Sequence, residues 1–213
     1  MSEEREGVAR RLGLTRSQGV AYYRRGLQAF EDGDFENAIL DLSEAIHYDR
    51  GHAEYYSTRG LFYVEARQFE DAKLDLDYAL KLNKRQWLAH YALGMMDFTN
   101  EDYESAAKHF ADASAIRPER PEVWYYRAVT DHNLGDDTRA AAEMERAEQL
   151  FPPGDKRRRD ASAWLKELKK TAGAGTPSSP TPIAPPTGAP PLASGSRPQL
   201  KPPDTSPGSA RKP

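Results

Sequence analysis

Residues 53–86 read AEYYSTRGLFYVEARQFEDAKLDLDYALKLNKRQ, and this stretch decides the architecture. Tyr56, Gly60 and Tyr63 fall at helical spacing, a break follows, and Ala72, Leu76, Ala79 and Leu80 mark an apolar stripe on a second helix. The pattern then recurs in both directions at a fixed step of 34 residues. Alanine returns at Ala38, Ala72, Ala106 and Ala140, and again at Ala45, Ala79, Ala113 and Ala147. An earlier slot holds Gly26, Gly60, Gly94 and Ala128. Three small-residue series sharing one period are the mark of stacked supersecondary units, which bury a continuous core only by leaning on their neighbours.

Two antiparallel helices approach closely only where side chains are small. Gly26 and its equivalents are therefore expected to face Ala38 and its equivalents, with Tyr22, Tyr56 and Trp124 filling the space beside the crossing. A glycine inside a helix costs about 1 kcal/mol against alanine, so its recurrence calls for a packing reason. Pro118 and Pro152 fall one period apart and end the second helices of their units.

These residues resemble the tetratricopeptide repeat family. Its aromatic, glycine, turn-aromatic and alanine pattern is met by Tyr22/Gly26/Phe35/Ala38/Ala45, by Tyr56/Gly60/Phe69/Ala72/Ala79 and by Gly94/Tyr103/Ala106/Ala113/Pro118. The fourth unit follows with Trp124/Ala128/Ala140/Ala147/Pro152 but has Asp137 where the turn aromatic should stand. Arg50 and Lys84 replace the terminal proline of the first two units. The resemblance implies an all-α fold, a right-handed α-solenoid of four helix-turn-helix repeats at 19–52, 53–86, 87–120 and 121–154. Residues 1–18 are expected as an N-terminal arm or short helix, with Val8, Leu12 and Leu14 set among charges.

A solenoid end exposes an apolar face and needs a cap. Residues 155–170 supply a C-terminal capping helix, with Ala161, Trp164, Leu165 and Leu168 on one face and Trp164 expected against the second helix of the fourth unit. The run Lys156-Arg-Arg-Arg159 reads as the solvated start of that helix. From Thr171 to Pro213 there is no aromatic residue, 12 of the 16 prolines lie from Pro177 onward, and a disordered tail is expected. Pro177-Ser-Ser-Pro180 and Pro182-Ile-Ala-Pro185 meet the minimal polyproline spacing without a basic flank, which favours a spacer.

Charge and chemistry narrow the function. Residues 19–154 carry 15 lysines and arginines against 26 aspartates and glutamates, an acidic body poorly matched to nucleic acid as a main partner. There is no cysteine, no apolar run of membrane-spanning length and no signal-peptide pattern, so a cytoplasmic setting is expected. The five histidines show no metal-ligand spacing along the chain, and His90 occupies a large-aromatic packing slot. Asp32-Gly-Asp34-Phe-Glu36 fails as a calcium loop, because Asn37 and Ser43 stand at the sixth and twelfth places. Phosphate loops and nucleophile elbows are absent; neither an enzyme activity nor a cofactor is expected.

What remains is a surface. In the family that the sequence resembles, the first helices line the concave face. That implies inward-looking positions at Tyr23, Leu27 and Phe30; Ser57, Leu61 and Val64; Leu88, Tyr91, Met95 and Phe98; and Tyr125, Val129 and His132. Relatives that clamp an acidic C-terminal peptide place lysine, asparagine and arginine there. Here the positions are mostly apolar or aromatic, so an apolar or amphipathic peptide or helix of another protein, with basic flanks, is the expected partner. Self-association as a homo-oligomer, or a structural accessory role in a larger complex, is the alternative.

Overall fold

Every 34-residue period folds as a helical hairpin, and the computed structural model describes residues 2–173, with side chains from residue 16 to residue 172. The helices among the described residues are α1 (Ser2–Glu31), α2 (Phe35–Tyr48), α3 (Ala53–Glu65), α4 (Phe69–Leu82), α5 (Trp87–Thr99), α6 (Tyr103–Ile116), α7 (Pro121–Asn133), α8 (Asp137–Leu150) and α9 (Lys156–Gly173). Helices pair as α1/α2, α3/α4, α5/α6 and α7/α8, and α9 lies against α8.

Backbone chemistry sets these boundaries. The turn residue Gly33 and its equivalents Arg67, Glu101 and Gly135 all take the left-handed conformation, with φ of 83°, 59°, 62° and 84°. That conformation closes one helix and redirects the chain into the next. Asp34, Asp102 and Asp136 then cap α2, α6 and α8, each carboxylate accepting from the backbone N–H three residues on at 2.9–3.1 Å. Asp32-Gly33-Asp34 is therefore turn and cap chemistry.

At the crossings of the first three hairpins the glycine meets a large side chain as well as the expected alanine or in its place. A Cβ on Gly60 would fall 2.6 Å from Leu76 Cδ2, and one on Gly94 would fall 2.7 Å from Phe110 Cε1. The large residue one turn beyond the paired alanine, Leu42, Leu76 or Phe110, fills the space that glycine vacates. Alanine's role is to admit the backbone itself, since the Ala72 carbonyl lies 3.4 Å from the same point.

Two segments differ from expectation in extent. The arm or short helix at 1–18 is, from Ser2 on, one continuous helix with the first unit, for no proline interrupts it. The terminal helix runs on to Gly173, and Asp155 Oδ1 accepts from the Arg157 N–H at 2.8 Å at its start. Ala161, Leu165 and Leu168 are buried on the face turned to the stack. The expectations for Val8, Leu12 and Leu14, and for the proline-rich tail beyond 173, lie outside the described residues. Among the described residues no helix is long and apolar enough to cross a membrane.

Candidate protein-binding surface

The first helices carry the eleven positions expected to line a groove, and most of them face the interior. Tyr23, Leu27 and Phe30 on α1 are half-buried. Leu61 and Val64 on α3, Tyr91, Met95 and Phe98 on α5, and Tyr125, Val129 and His132 on α7 are buried, as are the neighbouring Ser57 and Leu88. For these eight groove positions the expectation of an open, tyrosine-lined surface is corrected.

The physical reason is that successive first helices use these side chains as mortar. Phe30 stacks on Phe62 at 4.1 Å between ring centroids, and Tyr23 on Tyr55 at 5.1 Å. Tyr91 and Phe98 both meet the edge of Tyr126, at 5.8 and 6.2 Å. Tyr125 packs on Phe151 and His132 on Trp164. Trp164 thus reaches across to α7, while its helix rests on α8. Burial pushes the Tyr23, Tyr91 and Tyr125 phenols well above their ordinary pKa, so all three stay neutral.

The fourth unit's departure at Asp137 acquires an explanation here. Phe30 meets the turn aromatic Phe35 edge-on at 5.2 Å, and Phe98 meets Tyr103 likewise at 5.3 Å. The equivalent pair in the fourth unit is His132 with Asp137, joined by a 2.5 Å hydrogen bond between Nδ1 and Oδ1. One aromatic contact has been exchanged for a polar one at both ends.

The most exposed large apolar side chains lie instead on the second helices. Leu40 on α2 is 60% exposed and Leu74 on α4 is 71% exposed, at the same place in successive repeats. Tyr78 and Leu82 follow Leu74 at steps of four and are also exposed, forming a stripe along α4. Exposed Glu36 and Glu44 flank Leu40; Asp71 and Asp77 flank Leu74, with Asp77 also taking a 3.1 Å contact from Lys73. The sequence carries this signal in the 34-residue step from Leu40 to Leu74. It is masked by the stronger interior stripes of the same helices.

Inside each hairpin a polar clasp joins the two helices, with one exception. Arg25 on α1 binds Asp41 on α2, Arg59 on α3 binds Asp75 on α4, and Arg127 on α7 binds Glu143 on α8. The α5/α6 hairpin has Leu93 and His109 at the corresponding places. There His109 faces His90 and Asp112, and these three are the described residues whose donor atoms converge as metal ligands would.

A stack of helical hairpins with small residues at each crossing defines an α-solenoid, and comparison with known proteins specifies which. Residues 57–116 and 97–155 match the model of the tetratricopeptide repeat family, and the chain belongs to that family. No curated protein matches by sequence. Among similar solved structures, PilF of Pseudomonas aeruginosa has a TM-score of 0.66 at 18% identity, covering 76% of this chain and 72% of its own. MamA of Desulfovibrio magneticus RS-1 has a TM-score of 0.54 at 15% identity, over 74% of this chain and 97% of its own. The first such domain of Spaghetti (RPAP3), bound to the HSP90 peptide SRMEEVD, has a TM-score of 0.53 at 19% identity, over 56% and 97%. At these identities the likeness is one of fold.

Proposed function

We propose that this tetratricopeptide repeat protein is a cytoplasmic, non-enzymatic scaffold that holds an amphipathic helical segment of another protein, basic at its flanks. The observation that carries this reading is the exposed apolar stripe of Leu40, Leu74, Tyr78 and Leu82 between acidic borders. Large aliphatic side chains repeated at a fixed structural place and left in water are costly unless something covers them. A helix with apolar residues at steps of three and four would lie along such a stripe, and lysines or arginines beside them would meet Glu36, Glu44, Asp71 and Asp77.

Tyr23, Leu27 and Phe30, half-buried at the first repeat, are the part of the expected concave groove that a ligand could still touch. An acidic peptide of the kind bound to the RPAP3 domain would find apolar side chains at these places and repelling charge on the body. The test is affinity capture with the full chain, comparing wild type with Leu40→Glu/Leu74→Glu and with Tyr23→Ala. Loss of a partner in the double variant, with helical circular dichroism unchanged, supports the second-helix face. Loss in Tyr23→Ala alone would move the site to the concave side.

A further inference from the structure

We propose that the third repeat holds a divalent transition-metal ion, of which zinc is the type, between His90 on α5 and His109 and Asp112 on α6. One ligand atom from each of the three residues lies within 4.8 Å of the others. His109 and Asp112 are three apart on one helix and so share a face, and His90 meets them from across the hairpin. The two imidazole rings are 6.1 Å apart, and His90 Nδ1 is 3.6 Å from Asp112 Oδ2.

Hydrogen bonding prepares the His90 ring as a ligand, and a nearby carboxylate faces the His109 ring from behind. His90 Nε2 donates to the Lys84 carbonyl at 3.1 Å, which leaves the lone pair on Nδ1. That Nδ1 is buried and has no hydrogen-bond partner among the described residues, and the same holds for Nδ1 of His109. His109 turns its other nitrogen, Nε2, toward Asp97 Oδ2 at 3.6 Å. A ring held from behind by a carbonyl or carboxylate, with its second nitrogen bare, is how metal-binding histidines are oriented.

The other three repeats supply an internal control. Where they place arginine and a carboxylate to join their helices, the third has Leu93 and His109. Where they place Tyr22, Tyr56 and Trp124, it has His90. Two departures from the period therefore produce two histidines that face one another across the same hairpin. An ion there would tie α5 to α6 as the arginine clasps tie the other pairs. Tetrahedral zinc with bonds of about 2.0–2.1 Å holds its donors about 3.3 Å apart, so an ion would draw these side chains together from their present spread of up to 4.8 Å. Water would take the fourth position.

The test titrates the full chain with zinc chloride near pH 7, following heat, thermal unfolding and the imidazole nitrogen resonances. The proposal expects one ion per chain, a melting temperature that rises with zinc, and shifts confined to His90 and His109. His90→Tyr, which installs the residue found in the first two repeats, and His109→Gln should each weaken binding about tenfold or more. Asp97→Asn, which alters positioning alone, should weaken it less and move its pH profile. His47→Ala/His52→Ala should bind as wild type does. Absence of binding, unchanged affinity in both His90→Tyr and His109→Gln, or loss in the His47/His52 variant would overturn the proposal. Circular dichroism of each variant, taken without metal, separates lost ligands from lost fold.

Discussion

In the second repeat Arg59 grips Asp75 through two hydrogen bonds of 2.6 and 2.8 Å, and a third, of 2.8 Å, ties it to Ser43 of the preceding repeat. In the third repeat the same two places hold Leu93 and His109, so no arginine joins a carboxylate there, and His109 instead turns toward Asp97 of α5 at 3.6 Å. The backbones are alike, with equal helix lengths, equal turns and glycine at both crossings. What the difference teaches is that crossing geometry is set by the small residues, while the joining chemistry beside it is exchangeable. Each repeat is thus a substitution experiment on its neighbours.

The largest effect is expected from breaking the clasp of the second repeat on one side. Arg59→Leu leaves Asp75, nearly buried, without its partner, and should cost about 3 kcal/mol in urea unfolding. Arg59→Leu combined with Asp75→His gives the second repeat the interior of the third, and should recover most of that loss. If the double variant is as unstable as the single one, the two hairpins are not interchangeable.

A smaller effect should separate the crossings themselves. Gly94→Ala presses a methyl group into the ring of Phe110, which is stiff, and should cost about 2 kcal/mol. Gly60→Ala presses on the end of Leu76, which can rotate away, and should cost about half as much. Equal melting temperatures for the two variants would show that the crossings have the same slack.

The smallest effect is one of slope. Burial lowers the folded pKa of His109 below 6.5, so the folded state binds fewer protons than the unfolded one just below that pH. Stability contributed by the neutral ring is therefore present above about pH 6.5 and is lost as pH falls toward the folded pKa. Burial raises the folded pKa of Glu143, which acts in the opposite sense: its contribution is lost as pH rises. The quantity to follow is thus the difference between wild type and His109→Gln from pH 7.5 to 5.5 in metal-free buffer. Wild type should lose stability relative to the variant on acidification, and the second repeat, with Asp75 at that place, has no counterpart.

The repeats were legible because steric demand leaves a mark that no neighbour can erase. Gly26, Gly60 and Gly94 must be small whatever surrounds them, and the 34-residue step follows. Exposure was not legible in the same way. Whether Tyr91 or Tyr125 meets water depends on what closes over each of them: Tyr126 of the next unit covers Tyr91, and Phe151 at the end of the same unit covers Tyr125. Nor do His90 and His109 stand at a recognisable ligand spacing, being 19 residues apart on two helices. The trace they leave is a double departure from the period, visible once the four units are read in parallel.

The terminal helix has a consequence for how copies of this chain could assemble. α9 covers the last hairpin with Ala161, Leu165 and Leu168, and is pinned by a 3.0 Å contact from Lys169 to Glu145. A head-to-tail contact between copies needs two complementary ends, and here one end is occupied by the chain itself. Repeat arrays with both end faces open can grow head to tail into filaments, and α9 takes the last hairpin's face out of such growth.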